Sequence, residues 1–436
     1  MGISPRLDVL LPLAQRCRGP CHIRMGLNIS IVPSIPIDIY FNNTICTLSV
    51  DTSTPTNSSG VALYLRAVLR QLRELFYSKN AAYMTQSNWK RVIDELSETR
   101  NCPVPRRQDG HERSLTQIKF NPEGDLLFSC SKDHVINVWF THNGERLGTY
   151  DGHNGTVWTL DVDSQSRFLV SGSADNTMRL WSVQTGKCLY RWEFPTAVKR
   201  VAFSDEDDQI VCITEQRMGH QGAVRIFSVN REDDGTNQPK EPTSMFHPVG
   251  SKATLCAFAH TPNLILMGHE SGKVALFDAK TGEEVLSNER AHMDLVTDLQ
   301  LSPDRSYFIT SSKDKTARLH ETRTLTVLKT YSTETPLNSA AIARGKPYVL
   351  LGGGQDAMSV TTTSLRQGKF ETRFWHKVFE EEVGRVKGHF GPINTIAVSP
   401  KGDCFASGGE DGFVRVHHFD ESYFRVKPYG DLEIED

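Results

Sequence analysis

One spacing constrains this sequence more than any other feature. A histidine is followed 22 residues later by an aspartate, four times: His111 and Asp133, His153 and Asp175, His292 and Asp314, His389 and Asp411. Four residues before each aspartate stands a hydroxyl, namely Ser129, Ser171, Thr310 and Ser407. Six residues after the first two stand Trp139 and Trp181, and the first unit is displaced from the second by 42 residues throughout. A fixed period of this length marks a repeat architecture, in which each unit buries its apolar surface against the next.

Between the markers the chain alternates apolar and polar residues with the period of a half-buried strand. Examples are Leu115-Thr-Gln-Ile-Lys-Phe120, Val157-Trp-Thr-Leu-Asp-Val162 and Ile393-Asn-Thr-Ile-Ala-Val398. Polar turns such as Asn121-Pro-Glu-Gly-Asp125, Ala174-Asp-Asn176 and Glu410-Asp-Gly412 follow at intervals of about 8–12 residues. Four short antiparallel strands per unit are the dimensions of a WD40 blade. Three degenerate units, at 196–229, 251–289 and 335–365, keep the strand rhythm and raise the count to seven. The expected fold is all-β: a seven-bladed WD40 β-propeller over 106–428, followed by an acidic tail at 429–436.

The markers have a structural use. Aspartate to histidine ring, histidine to hydroxyl, and hydroxyl to tryptophan N–H would form a polar chain tying the loop that leads into a blade to its inner strands. Each link is worth about 0.5–1.5 kcal/mol, and more is lost when a break leaves a buried group unpaired. His320 and His417 stand where tryptophan is expected, so the chain is read as shortened there. A metal site or catalytic dyad is the competing reading of these pairs. Recurrence of the same pair in separate blades speaks against it.

No catalytic or cofactor motif appears: no phosphate-binding loop, no G-x-S-x-G elbow and no H-E-x-x-H helix. Gly352-Gly-Gly354 sits where a blade turn is due. Nine scattered cysteines complete no zinc site, and no run approaches the ~20 apolar residues of a membrane span. These features fit a non-enzymatic chain without cofactor or metal, reduced and cytoplasmic, with no membrane partner. The net charge of −3 conceals an asymmetry. Residues 1–105 hold 11 Lys/Arg against 7 Asp/Glu, a net of +4, so the remainder carries −7. An acidic ring favours protein partners over nucleic acid.

Two excursions interrupt the rhythm. Residues 231–248, with three prolines, read as a solvated loop on the third blade. Residues 363–388 read as a link between blades six and seven. Its four aromatics, Phe370, Phe374, Trp375 and Phe379, pack on the ring or meet a partner. Ahead of the ring, residues 1–105 form a largely irregular extension, irregular above all at 27–59. Amphipathic helices are expected at 61–77 and at 88–99, the latter with Ser87 as N-cap. The extension is either a partner-binding hairpin or non-native sequence from a gene model. The second reading predicts a start near residue 105.

Several stretches are similar to the i subunit of eukaryotic translation initiation factor 3. They include Gly110-His-Glu-Arg-Ser-Leu-Thr-Gln-Ile-Lys119, Asn143-Gly-Glu-Arg-Leu-Gly-Thr-Tyr150, Gly172-Ser-Ala-Asp-Asn-Thr177, Gly352-Gly-Gly-Gln-Asp-Ala357 and Gly384-Arg-Val-Lys-Gly-His-Phe-Gly-Pro-Ile-Asn394. The resemblance covers about 110–424 and implies a non-enzymatic scaffold in the complex that loads the 40S ribosomal subunit and mRNA. It implies the b and g subunits as partners, with the 40S subunit and RNA reached through the complex. It also implies docking of the b subunit around blades five and six, here near Lys313, Asp314, Lys315 and Arg318. An adaptor in a signalling or ubiquitin-ligase complex is the alternative. Family members close the ring with a strand before Gly-His. Here that place holds Asn101-Cys-Pro-Val-Pro-Arg-Arg-Gln-Asp109, a poor strand, which leaves 423–427 as the other candidate for the outer strand of blade seven.

Overall fold

The computed structural model describes residues 21–29, 32–42, 45–50, 111–231, 235–354, 370–420 and 423–424. The chain divides into two units, 1–85 and 86–436. In the first, Cys21–Ile29, Val32–Asn42 and Ile45–Val50 pair as an antiparallel three-stranded sheet. These strands fall partly within 27–59, the stretch that the sequence pattern leaves irregular. Alternation of Ile35, Ile37, Ile39 and Phe41 outweighs the strand-breaking tendency of Pro33 and Pro36. The helices expected at 61–77 and 88–99 lie outside the described residues.

In the second unit, seven antiparallel sheets succeed one another as the blades of a propeller. Their innermost strands are Leu115–Phe120, Val157–Val162, Val198–Phe203, Ala253–Phe258, Val296–Leu301, Leu337–Ile342 and Ile393–Val398. Six blades have four strands, and the outer ones are Arg146–Tyr150, Cys188–Glu193, Ser244–Phe246, Glu284–Asn288, Val327–Ser332 and Glu382–Lys387. The seventh has three, ending on Val414–His418, among the described residues. We call the face bearing the loops that lead into each blade, and the turns between second and third strands, the top.

Packing follows from the blade stack. Second strands are covered on both faces by neighbouring blades, so Phe168–Ser173 and Cys404–Gly409 are buried at every position. The apolar core is therefore a series of inter-blade layers. One joins Phe128, Ile136 and Tyr150 of blade one to Val157, Leu160 and Trp181 of blade two. Another joins Ala397, Ala406 and Val416 of blade seven to Ile118, Leu127 and Trp139 of blade one. Each fully buried side chain of this size contributes about 1.5–3 kcal/mol.

A belt of hydrogen bonds rings the top of the channel. The second residue of an innermost strand donates its side chain to the first carbonyl of the next blade. Thr116 reaches Val157 O (2.5 Å), Thr254 reaches Val296 O (3.2 Å), and Thr297 reaches Leu337 O (3.0 Å). Asn338 reaches Ile393 O and Asn394 reaches Leu115 O, both at 3.0 Å. Lower in the channel, Arg200 of blade three meets Asp298 of blade five at 3.3 Å, and Asp298 also accepts from Ser339 Oγ at 2.6 Å.

Several sequence expectations are corrected here. The segment 231–248 is not simply a solvated loop, because Ser244–Phe246 is the outer strand of blade three and buries Phe246. Gly235, at φ +74°, lies against the Phe168 ring and Leu189 of blade two, where a Cβ would sit 2.7 Å from Phe168 Cε1. Residues 363–388 are not a link, since Glu371–His376 and Glu382–Lys387 are the third and fourth strands of blade six. All four aromatics make contacts within the molecule: Phe374 on Phe405 and Phe419, Trp375 on Tyr331, Phe370 beside Gly354, and Phe379 stacked on His376 at 4.5 Å with its other side exposed. Gly352 and Gly353 belong to a strand rather than a turn, and a Cβ on Gly352 would meet Ile396 Cδ1 at 2.4 Å. Tyr423 and Phe424 are helical rather than extended, and Tyr423 stacks on Phe419 at 4.0 Å. Neither of these two residues pairs with Val414–His418, and residues 425–427 lie outside the described residues. Residues 100–108, the other candidate, lie outside the described residues.

Candidate interaction surfaces

The sequence-marked residues converge in four polar chains. In blade one Trp139 Nε1–H donates to Ser129 Oγ (2.8 Å), Ser129 lies 2.8 Å from His111 Nε2, and His111 Nδ1 lies 2.9 Å from Asp133. Blade two repeats this with Trp181, Ser171, His153 and Asp175 at 2.8, 2.7 and 2.9 Å. Since tryptophan only donates, the hydroxyl proton goes to His Nε2, and a neutral imidazole then donates from Nδ1 to the carboxylate. Burial lowers the His153 pKa against the pull of Asp175, consistent with that neutral form. Burial alone would raise the Asp175 carboxyl. Hydrogen bonds from His153, Thr177 and the Asn154 N–H outweigh it and hold the group well below the ordinary range.

Blades five and seven depart from the expected pattern. His292 bonds Thr310 at 2.8 Å and Asp314 at 3.1 Å, and Thr310 lies 3.0 Å from His320 Nε2. The chain there is not shortened, because the His320 imidazole takes the place of the indole and stacks on Phe308 at 4.9 Å. Burial, helped by His292 and Arg318, drives the His320 pKa down to about 3. In blade seven His389 reaches Ser407 at 2.8 Å and Asp411 at 3.0 Å. Arg415 adds a bond to Asp411 at 2.9 Å, and His417 stacks on Phe405 at 4.6 Å. Against burial, the His389 bond and the Arg415 charge lower the Asp411 pKa to about 2.

Of the four residues carried over as a partner surface, Lys313, Asp314 and Lys315 form the turn between the second and third strands of blade five and Arg318 lies in the third strand, Thr316–Glu321, and they differ in availability. Lys313 Nζ donates to Asn338 at 2.8 Å. Asp314 belongs to the polar chain just described. Arg318 donates to Ala291 O at 2.8 Å and Arg290 O at 3.2 Å. Lys315 alone is exposed, held at φ +69° in the turn.

A second surface is signalled in the sequence only in part, by Phe379. In five blades the outer strand carries a bulge, where the register steps over Leu147, Leu189, Val285, Leu328 or Val383 and directs an apolar residue outward. At Leu189 the blade-three excursion covers it. At blade five the bulge adjoins other exposed apolar groups: Val327 and Leu328 of the outer strand, and Val378 and Phe379 (59% exposed) on the last turn of blade six. Tyr331 OH donating to Lys377 O at 2.8 Å and Lys329 paired with Glu380 at 3.2 Å join that strand to that turn. For the bulges themselves the sequence offers only a Leu or Val a few residues before the next Gly-His or its equivalent. Among the described residues no group of three or more His, Cys, Asp or Glu is placed to hold a metal ion, and no helix is long and apolar enough to cross a membrane.

Comparison with known proteins agrees with this geometry. A family model described as EIF3I matches residues 105–428. A protein of Mycosarcoma maydis named eukaryotic translation initiation factor 3 subunit I is 62% identical over 335 residues, covering 74% of this chain and 96% of the relative. Proteins of the same name from Emericella nidulans and Schizosaccharomyces pombe are each 57% identical, over 317 and 320 residues. They cover 72% and 73% of this chain, and 94% and 97% of the respective relatives.

Proposed function

The chain belongs to the subunit I family of eukaryotic translation initiation factor 3, and from that premise we propose that it is a non-catalytic docking ring which holds other subunits of the factor in the cytoplasm. It is a translation initiation factor subunit. A signalling or ubiquitin-ligase adaptor is not the favoured reading, because the curated relatives share the initiation-factor name. The absence of catalytic motifs fits a role in assembly. The expected direct partners are the b and g subunits, and through them the 40S ribosomal subunit.

The observation that carries the docking role is the apolar patch between blades five and six, formed by Val327, Leu328, Val378 and Phe379. It lies in the sector where the family resemblance places the b subunit, and it has the composition of an interface centre: an aromatic anchor among aliphatic neighbours beside a charged pair. Lys315 supplies an exposed positive charge on the same blade.

Calorimetric titration of the purified ring with the C-terminal segment of the b subunit tests this. Covering ~100 Å² of Phe379 and Leu328, about half of what they expose, at ~25 cal/mol per Å² is worth about 2–3 kcal/mol, or ~30–150-fold in Kd. Phe379→Asp combined with Leu328→Asp is expected to weaken binding by at least that factor, and Leu328→Asp alone, which leaves the Phe379–His376 stack in place, to weaken it with an unchanged melting curve. Unchanged affinity overturns the placement. Lys315→Glu asks the same of the carried-over turn without touching the polar chain.

A further inference from the structure

One sector of the top face, over blades two to four, departs from several regularities of the ring. In five blades the second residue of the innermost strand joins the hydrogen-bonded belt, but blades two and three place Trp158 and Lys199 there. These pack on each other instead: Lys199 Nζ lies 4.1 Å from the centre of the Trp158 ring and 3.5 Å from Glu215. The histidine of the polar chain is also replaced in the next two blades. Phe194 takes its position in blade three and packs on Phe227, while Val249 takes it in blade four and is 88% exposed.

The same sector carries a protruding connection. Between the second and third strands of blades one, two, four, five and seven run three or four residues, whereas blade three has eight, 215–222. They form a hairpin closed by reciprocal backbone bonds between Arg217 and His220 at 3.1 and 3.0 Å. Met218 at φ +51° and Gly219 at φ +82° make its tip, and Met218 is 86% exposed. Hairpin and lead-in loop bound a cleft of ≈ 290 Å³ lined by Gln216, Gln221, His247, Val249 and Lys252 among others. Such a volume accepts one or two apolar side chains.

Charge decides what kind of segment fits. The exposed polar ends around the cleft are Arg217, His220, His247 and Lys252. Arg217 makes no ion pair among the described residues. Of the nearby carboxylates, Glu215 is engaged by Lys199, and Glu270 shares an open 3.5 Å pair with Lys252 that an incoming carboxylate can replace. A cleft of mixed polarity whose mouth carries the Arg217 and Lys252 charges, on an otherwise acidic ring, attracts the opposite sign.

We propose that the top of blades two to four docks an extended acidic protein segment that inserts apolar side chains between the Met218 hairpin and Val249. This site is separate from the patch of blades five and six, and it rests on the reading of the chain as a subunit of a multiprotein factor. The test is a complex reconstituted from this chain with the b and g subunits, carrying the photo-crosslinker benzoylphenylalanine at Met218, Val249 or Phe379 in turn. Crosslinks from 218 and 249 to a partner stretch rich in Asp and Glu, lost at least tenfold on Arg217→Glu with Lys252→Glu, support the proposal. Crosslinks from 379 with none from 218 or 249 overturn it and leave the blade five and six patch standing. Crosslinks to a neutral or basic stretch, or insensitivity to charge reversal, also overturn it. Crosslinks from 218 and 249 with none from 379 support it and remove the patch. Failure of the three proteins to assemble overturns both. All substituted side chains are exposed, and a melting curve matching the parent verifies the fold.

Discussion

Substituting Ser171 by Ala removes a single oxygen and strands two buried donors or acceptors. Ser171 is fully buried, as is Trp181, and His153 is 3% exposed. Loss of Oγ leaves Trp181 Nε1–H and His153 Nε2 with no partner from that side. An unsatisfied buried polar group costs about 1–3 kcal/mol, so the pair costs about 2–6 kcal/mol, far above the ordinary surface substitution. At ~2 °C per kcal/mol for a chain of this size, the melting temperature should fall by about 4–12 °C. The assay is thermal unfolding followed by circular dichroism, with native-state hydrogen exchange to localise the loss to blade two and its neighbours. Ser171→Thr is the control, because blade five uses Thr310 at the same place and bonds His292 at 2.8 Å. A fall below about 1 °C for Ser171→Ala, or an equal fall for Ser171→Thr, would refute the claim that the hydroxyl mediates between ring and indole.

Three further outcomes are expected. His320 has its folded pKa depressed from 6.5 to about 3, so its contribution to stability is complete above pH 6.5 and drains as pH falls toward 3. Urea midpoints of His320→Gln should decline less between pH 7 and pH 4 than those of the parent, and parallel curves would contradict the assignment. Asp298→Ala removes the carboxylate that Arg200 and Ser339 share and should cost about 1–3 kcal/mol in chemical denaturation, the range for leaving a buried polar group without its partner. Gly352→Ala forces a methyl into Ile396 of the next blade and should cost about 1–3 kcal/mol, while Gly345→Ala, with nothing within 4 Å of its Cβ, loses only what its φ of +68° imposes.

The sequence exposed the fold because the markers are local. A histidine and an aspartate 22 residues apart must both be present for a blade to satisfy its buried polar groups, so four blades announced themselves. The missed features depend on packing between blades, which has no fixed spacing. Phe194 against Phe227 does the work of a polar chain in blade three, and nothing in either residue signals it. The outer strand Ser244–Phe246 was hidden behind a proline-rich excursion, and the outer half of blade six behind the long stretch after Gly354. Asp314 and Arg318 illustrate the converse: residues conspicuous by charge are spent on internal bonds, while the exposed surface beside them is apolar.

The join between blades seven and one differs in kind from the other six. The other six joins are each bridged by the chain running from one blade to the next, whereas blades seven and one are far apart in sequence, and the third strand Val414–His418 pairs with no outer neighbour among the described residues. Across it run Lys132 to Glu410 at 3.1 Å, Ser114 to Glu410 at 2.6 Å and Ile118 N to Thr395 Oγ1 at 3.1 Å, over one shared apolar layer. Mechanically this makes the ring a clasped bracelet rather than a hoop. Tension applied through the chain ends loads the clasp before any other joint, and once it parts the blades can peel in sequence from either side. A partner bound across blades seven and one would act as a splint, raising the force needed to open the molecule without touching any other blade.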